Sequence, residues 1–196
     1  MKKQAFLAIL LVGALILTGV IFEPEMSFAD DVAVTASVST SVSCSTTATS
    51  TAFGTLTTGS IATASPNSTL LMSCNYGAGC DLNINDAGGG GNPGLWNSSA
   101  SDIVQSADAT LSAGTEGYGI QAATTANGSG GVLYPSVNYW VTGDNVGGLT
   151  LGTSVLASSS VPISGREITV IHKAAISGLT AAGSYADTIT YGCVGN

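Results

Sequence analysis

Few side chains in this sequence could do chemistry, and their spacing gives them little to do together. His172 is the single histidine, so any serine–histidine–acid site would have to use it. No G-x-S-x-G elbow presents a nucleophile to it. In "REITVIHKAAI" (Arg166 to Ile176) it shares a face with Ile168, Val170 and Ala174, the setting of a histidine at the edge of a core. Asp102, Asp108 and Glu116 fall in loops and could form an acid pair, but nothing in the sequence fixes their separation. "GGGNPG" (Gly89 to Gly94) has the glycines of a dinucleotide loop, yet Pro93 and "LWNSS" open no helix to hold a pyrophosphate. "DLNIND" (Asp81 to Asp86) starts like a calcium loop. Asp86 then stands where the turn needs glycine, and Asn92 where a bidentate glutamate belongs, so an outward polar strand face accounts for it better. Trp96 and Trp140 could stack on a sugar; packing in the core or in loops explains them as well. Sequons at Asn67, Asn97 and Asn127 follow from the composition. The chain therefore reads as a non-enzyme with no cofactor and no metal.

The cysteines are more informative. Cys44, Cys74, Cys80 and Cys193 are even in number. Only Cys74 and Cys80 lie near each other, and zinc needs closely spaced ligand pairs. Two disulfides in an oxidising compartment are expected instead. The N-terminus supports export: Lys2 and Lys3 precede an apolar run from Ala5 to Phe22, and Ser27-Phe28-Ala29 offers small residues to a signal peptidase. Residues 1–29 are expected to be a Sec signal, cleaved before Asp30, with an uncleaved anchor as the alternative because the apolar run approaches the length of a membrane span. Residues 30–196 are expected to be one domain with a core of its own.

Net charge is −8, and only 4 of the 196 residues are Lys or Arg. Lys2 and Lys3 fall in the signal, which leaves Arg166 and Lys173. Such a surface repels phosphate backbones and gives anionic lipid nothing to hold, so neither nucleic acid nor a membrane is an expected partner of the mature chain.

The elements that must position these residues are strands. A two-residue period places Val32, Val34, Ala36, Val38, Val42 and Cys44 on one face of "DVAVTASVSTSVSC". The same period puts Leu70, Met72 and Cys74 in phase, then Cys80, Leu82 and Ile84, then Tyr185, Asp187, Ile189, Tyr191 and Cys193. Gly117 to Thr124 and Arg166 to Ile176 also read as strands. "FGTL" (Phe53 to Leu56) reads as a short strand or bend, and "VLYPSVNYWV" as a broken edge strand interrupted by Pro135. Asp86 to Gly114 has little periodicity and reads as a long loop. Seven or so short strands with turns between them predict an all-β, immunoglobulin-like sandwich.

Five features in order carry a resemblance: the "V-x-A-x-V-x-x-x-V-x-C" opening, "FGTL" with Phe53 and Gly54, a strand ending in Cys74, "LNINDAG", and "AGSYADTITY" with Gly183, Tyr185, Asp187 and Tyr191. Together they resemble the spore coat U family, which is similar to subunits of the archaic chaperone–usher pili. The match covers roughly residues 31–88 and 165–191 and leaves out the middle. It implies a pilin-type immunoglobulin fold without its last strand, whose open groove beside "ITYGCVGN" is filled in trans. A periplasmic chaperone fills it first, and then the N-terminal strand of another copy or a related subunit, delivered by an outer-membrane usher. The implied donor is residues 30–38, with Val32, Val34, Ala36 and Val38 as knobs. A monomeric secreted module binding carbohydrate or a surface is the alternative. Strand phase and the family-like placement of two cysteines favour Cys44–Cys74 and Cys80–Cys193; the turn "CNYGAGC" leaves Cys74–Cys80 with Cys44–Cys193 open. Tyr185, two residues after Gly183, is similar to the tyrosine corner of immunoglobulin sandwiches, whose hydroxyl bonds upstream backbone.

Overall fold

A computed structural model describes residues 31–196. The signal expected over residues 1–29, and Asp30 at the start of the donor, lie outside the described residues. The protein is all-β, with fourteen strands and no helix among the described residues. In chain order the strands are β1 (Val42–Thr46), β2 (Ala62–Thr63), β3 (Ser68–Cys74), β4 (Cys80–Asp86), β5 (Gly94–Asn97), β6 (Asp102–Gln105) and β7 (Ala109–Thr110). They continue as β8 (Gly117–Thr124), β9 (Ser129–Gly130), β10 (Tyr134–Pro135), β11 (Asn145–Val146), β12 (Ser154–Ser159), β13 (Ile163–Ala175) and β14 (Ile189–Gly195).

Residues 39–196 form one compact unit, and residues 31–38 fall outside it. Two antiparallel sheets build the larger unit. The first runs β1-β3-β13-β2, with β8 and β9 also paired to β13; the second runs β10-β12-β4-β14. The 13-residue β13 anchors the first sheet, because its run Ile168 to Ile171 is β-branched throughout and hydrogen-bonds along both edges. Inward residues of both sheets, among them Leu70, Met72, Leu82, Ile84, Ile168 and Val170, share one hydrophobic core. In β3 and β4 every second residue is buried, as the alternation predicts.

Three expectations need correction. The strand expected from Asp31 begins only at Val42, where β3 supplies a ladder partner. Val32, Val34 and Val38 stand 83%, 89% and 86% exposed. Alternation says which face a strand would bury, but only a partner makes it a strand.

The expected loop from Asp86 to Gly114 contains the hairpin β5–β6 and strand β7. Four-residue strands are too short to show a period. What builds the hairpin is local: Asn97 Oδ1 accepts from the backbone N–H groups of Ser99 (3.1 Å) and Ala100 (3.2 Å), closing its turn. Trp96 lies on the glycine run, where a Cβ at Gly89 would come within 2.1 Å of its ring.

The favoured disulfide pairing fails on register. Cys44 stands opposite Met72, and Cys74 opposite Val42; Cys193 stands opposite Leu82, and Cys80 opposite Gly195. Each expected pair is thus offset by two residues within its sheet. The bonds instead run between sheets, as Cys44–Cys193 and Cys74–Cys80. Both fit an oxidising, exported environment.

The two cations expected in the mature chain are committed to loops. Arg166 donates to the carbonyls of Gly131 (2.7 Å), Gly130 (2.9 Å) and Asn127 (3.1 Å), and Lys173 pairs with Asp144 at 2.9 Å.

Candidate functional site

β1 and β14 are the outermost strands of their sheets, and each is hydrogen-bonded on one side only. A disulfide ties them together at Cys44 and Cys193. Beyond that tie the two sheets are not closed over each other. A groove of about 1060 Å³ opens there, lined by Thr46 and the segment after β1 and by residues leading into β14. Leu95, Tyr118, His172 and Ile189 contribute to its lining. Leu95 and Tyr118 are core residues, 6% and 2% exposed, so the groove reaches into the hydrophobic centre of the protein.

Local chemistry holds the two walls apart. On the first, Phe53 sets its ring edge against Tyr118, with centroids 6.1 Å apart and planes at 80°. Gly54 follows at a φ of +69°, a left-handed turn that glycine makes without strain. On the second, the Tyr185 hydroxyl lies 2.8 Å from Ala181 O, four residues upstream, and 2.5 Å from Asp102 Oδ2. Asp102 also accepts from Ala181 N at 2.9 Å. These bonds, that of Tyr185 first, hold the Asp102 carboxyl below its usual range. Gly183 has a φ of +151°, and a Cβ there would meet Asn97 Nδ2 at 2.4 Å. Only glycine lets the segment pass so close to the hairpin.

The acids considered as a catalytic pair each serve as a clamp, Asp102 and Glu116 on the adjacent residues Ala181 and Thr180 and Asp108 elsewhere. Asp102 holds Tyr185 and Ala181, Asp108 accepts from Gly148 N at 2.7 Å, and Glu116 accepts from the Thr180 hydroxyl. His172 is buried, with its Nδ1 3.2 Å from the Tyr118 hydroxyl. Burial pushes its pKa down to about 4, which leaves a neutral ring near pH 7. Trp96 and Trp140 are not brought together; Trp140 pairs with Tyr134 instead, ring centroids 6.2 Å apart, and both are about half exposed.

Asp187 and Tyr191 were singled out through the resemblance, but Asp86 was read as part of an outward polar face and its place beside them was missed. Asp86 is the fourth inward position of β4, after Cys80, Leu82 and Ile84, and is 1% exposed. The strand phase itself carried the signal, since the residue in step with Ile84 must point inward. Near it lie Asp187, Tyr191 and Tyr118. Burial, then the neighbouring Asp86 carboxyl, pushes the Asp187 pKa up to about 7. The Tyr191 and Tyr118 phenols are also raised, first by burial and then by Asp187.

Comparison with family models, with curated proteins and with solved structures finds no match for this chain.

Proposed function

We propose that this protein is an exported structural subunit of a surface fibre or coat, with a pilin-type immunoglobulin-like fold, and that it assembles by strand exchange. The occupant of the groove is residues 31–38 of a second copy or a related subunit. The observation that carries the reading is the pair of sheet edges, β1 and β14, flanking a groove that reaches the core. A free edge beside exposed apolar surface is an aggregation hazard unless a strand pairs with it. An added strand would supply main-chain hydrogen bonds to an edge and alternate side chains to the groove. Val32, Val34 and Val38, each more than 80% exposed, carry that alternation. Fully burying a valine is worth about 1.5–3 kcal/mol, so three of them supply a substantial driving force. A periplasmic chaperone and an outer-membrane usher follow as partners from the resemblance to the spore coat U family.

Val34→Asp tests this reading. An unpaired carboxylate in an apolar groove is strongly unfavourable, so the variant should remain folded and monomeric while the wild type assembles. A wild type that stays a compact monomer and takes up no "DVAVTASVS" peptide would sink the reading.

The exposed Tyr134–Trp140 pair supports a second reading, a monomeric module that stacks sugars. Retention of the monomer on polysaccharide columns, lost in Trp140→Ala, would favour it.

A further inference from the structure

Strand exchange alone needs only an apolar groove, yet beside this one lies an enclosed pair of carboxyl groups. Asp86 is 1% exposed; its Oδ1 accepts from Gly88 N at 2.5 Å, while Oδ2 is enclosed without a partner. The register sets Asp86 opposite Ile189, and Ala87 N donates to Thr188 O at 2.9 Å just beyond. Asp187, two residues before Ile189, therefore stands one diagonal step from Asp86, within side-chain reach. Both Asp187 oxygens and the Tyr191 hydroxyl are likewise enclosed and unpartnered. Asp187 and Tyr191 line the groove itself.

The charges around the pair do not neutralise it. The titratable groups nearby are Asp86 from β4, Tyr118 from β8, His172 from β13 and Tyr191 from β14. Both phenols stay protonated near neutral pH, and His172 is uncharged. Arg166 and Lys173 are held by backbone carbonyls and by Asp144. Two neighbouring enclosed carboxylates with no cation beside them are costly when both ionised, so one retains a proton.

We propose that Asp86 and Asp187 form a proton-binding site beside the groove, and that an apolar strand covering the groove captures a proton there. This rests on the strand-exchange reading. In the open groove solvent borders the half-buried Asp187 side chain that lines it, although its two oxygens are themselves enclosed. Covering the groove with valine side chains displaces that solvent, which disfavours the ionised form further and tightens the hold on the proton.

The direction follows from linkage. Where the pair is protonated both before and after covering, below about pH 7, assembly is insensitive to pH. As pH rises above that value the open groove loses its proton and the covered one keeps it. Assembly then weakens by up to about tenfold per pH unit until the covered form also deprotonates.

The experiment is sedimentation velocity of the purified protein from pH 5 to 9, with calorimetry of a synthetic "DVAVTASVS" peptide in phosphate and in Tris. The expected result is a plateau below neutral pH, a fall above it, and a binding enthalpy that differs between the two buffers because a proton is taken from them. Asp187→Asn should bind at every pH without uptake, and Asp86→Asn provides the same test if the first variant folds poorly. Peptide binding that is flat across the range and takes up no proton would overturn the proposal while leaving strand exchange intact. An absence of assembly and of peptide binding at every pH would remove strand exchange itself, and the proton site with it.

Discussion

Cys44 and Cys193 are bonded across the open side of the two sheets, with their Cα atoms 6.1 Å apart and a sequence separation of 149. The bond joins the outermost strand of one sheet to the outermost strand of the other, at one end of the groove. It fixes the separation of the two edges that an incoming strand would have to meet.

Peptide mapping of the unreduced protein should recover a linked Cys44–Cys193 fragment and an internal Cys74–Cys80 loop. A linked Cys44–Cys74 fragment would overturn this pairing. Loop-closure entropy makes the long bridge worth about 5 kcal/mol and the six-residue one about 2 kcal/mol. Urea unfolding of a Cys44→Ala/Cys193→Ala double variant should therefore show the larger loss, against Cys74→Ala/Cys80→Ala. Equal losses would mean the long bridge constrains the unfolded chain less than its length suggests.

Tyr185→Phe removes the hydroxyl that reaches Ala181 O and Asp102. Loss of the bond to Ala181 should cost about 1 kcal/mol, visible as a lowered denaturation midpoint. The Asp102 carboxyl should also titrate at higher pH by NMR, because its hydrogen bond to Tyr185 is the first cause of its lowered value. An unchanged midpoint and an unchanged titration would deny the tyrosine any role in holding this segment.

Gly183→Ala should destabilise the protein by about 1–3 kcal/mol, since its φ of +151° is strained for alanine and the new methyl would press on Asn97. Gly192→Ala is the control, because nothing lies within 4 Å of a Cβ there. Similar losses at the two positions would show that the contact with Asn97 is not what requires glycine.

The Asp187 carboxyl, raised from 3.8 to about 7, also makes folding depend on pH. Below about pH 3.8 both the folded and the unfolded chain carry the proton, and this contribution to stability is fully present. Between that value and about 7 the unfolded chain releases its proton while the folded one holds it, so the contribution is lost as pH rises. Across this range the denaturation midpoint should fall more, or rise less, with increasing pH in wild type than in Asp187→Asn. Parallel slopes in the two proteins would show that Asp187 titrates normally.

Within the sequence, the alternation of apolar residues determined that β3, β4, β13 and β14 are strands and which of their faces turn inward; β8 was legible as a strand but not by face, since five consecutive residues of it are buried. It placed Leu70, Met72, Leu82 and Ile84 in the core, as found. Alternation is a local property, written into each strand by the pleat of its own backbone. Everything that depends on which strand lies beside which was decided by tertiary structure. The same valine alternation runs through residues 31–44, yet only Val42 onward finds a ladder partner. All four cysteines are in phase with their strands, but a two-residue register offset redirects both bonds from within the sheets to between them. Asp86 and Asp187 are 101 positions apart in the numbering, roughly the span over which no local rule operates, and only the pairing of β4 with β14 makes their carboxyls neighbours. Phase belongs to one strand, whereas register, partner and enclosure belong to two, and a single strand's residues do not specify its neighbour.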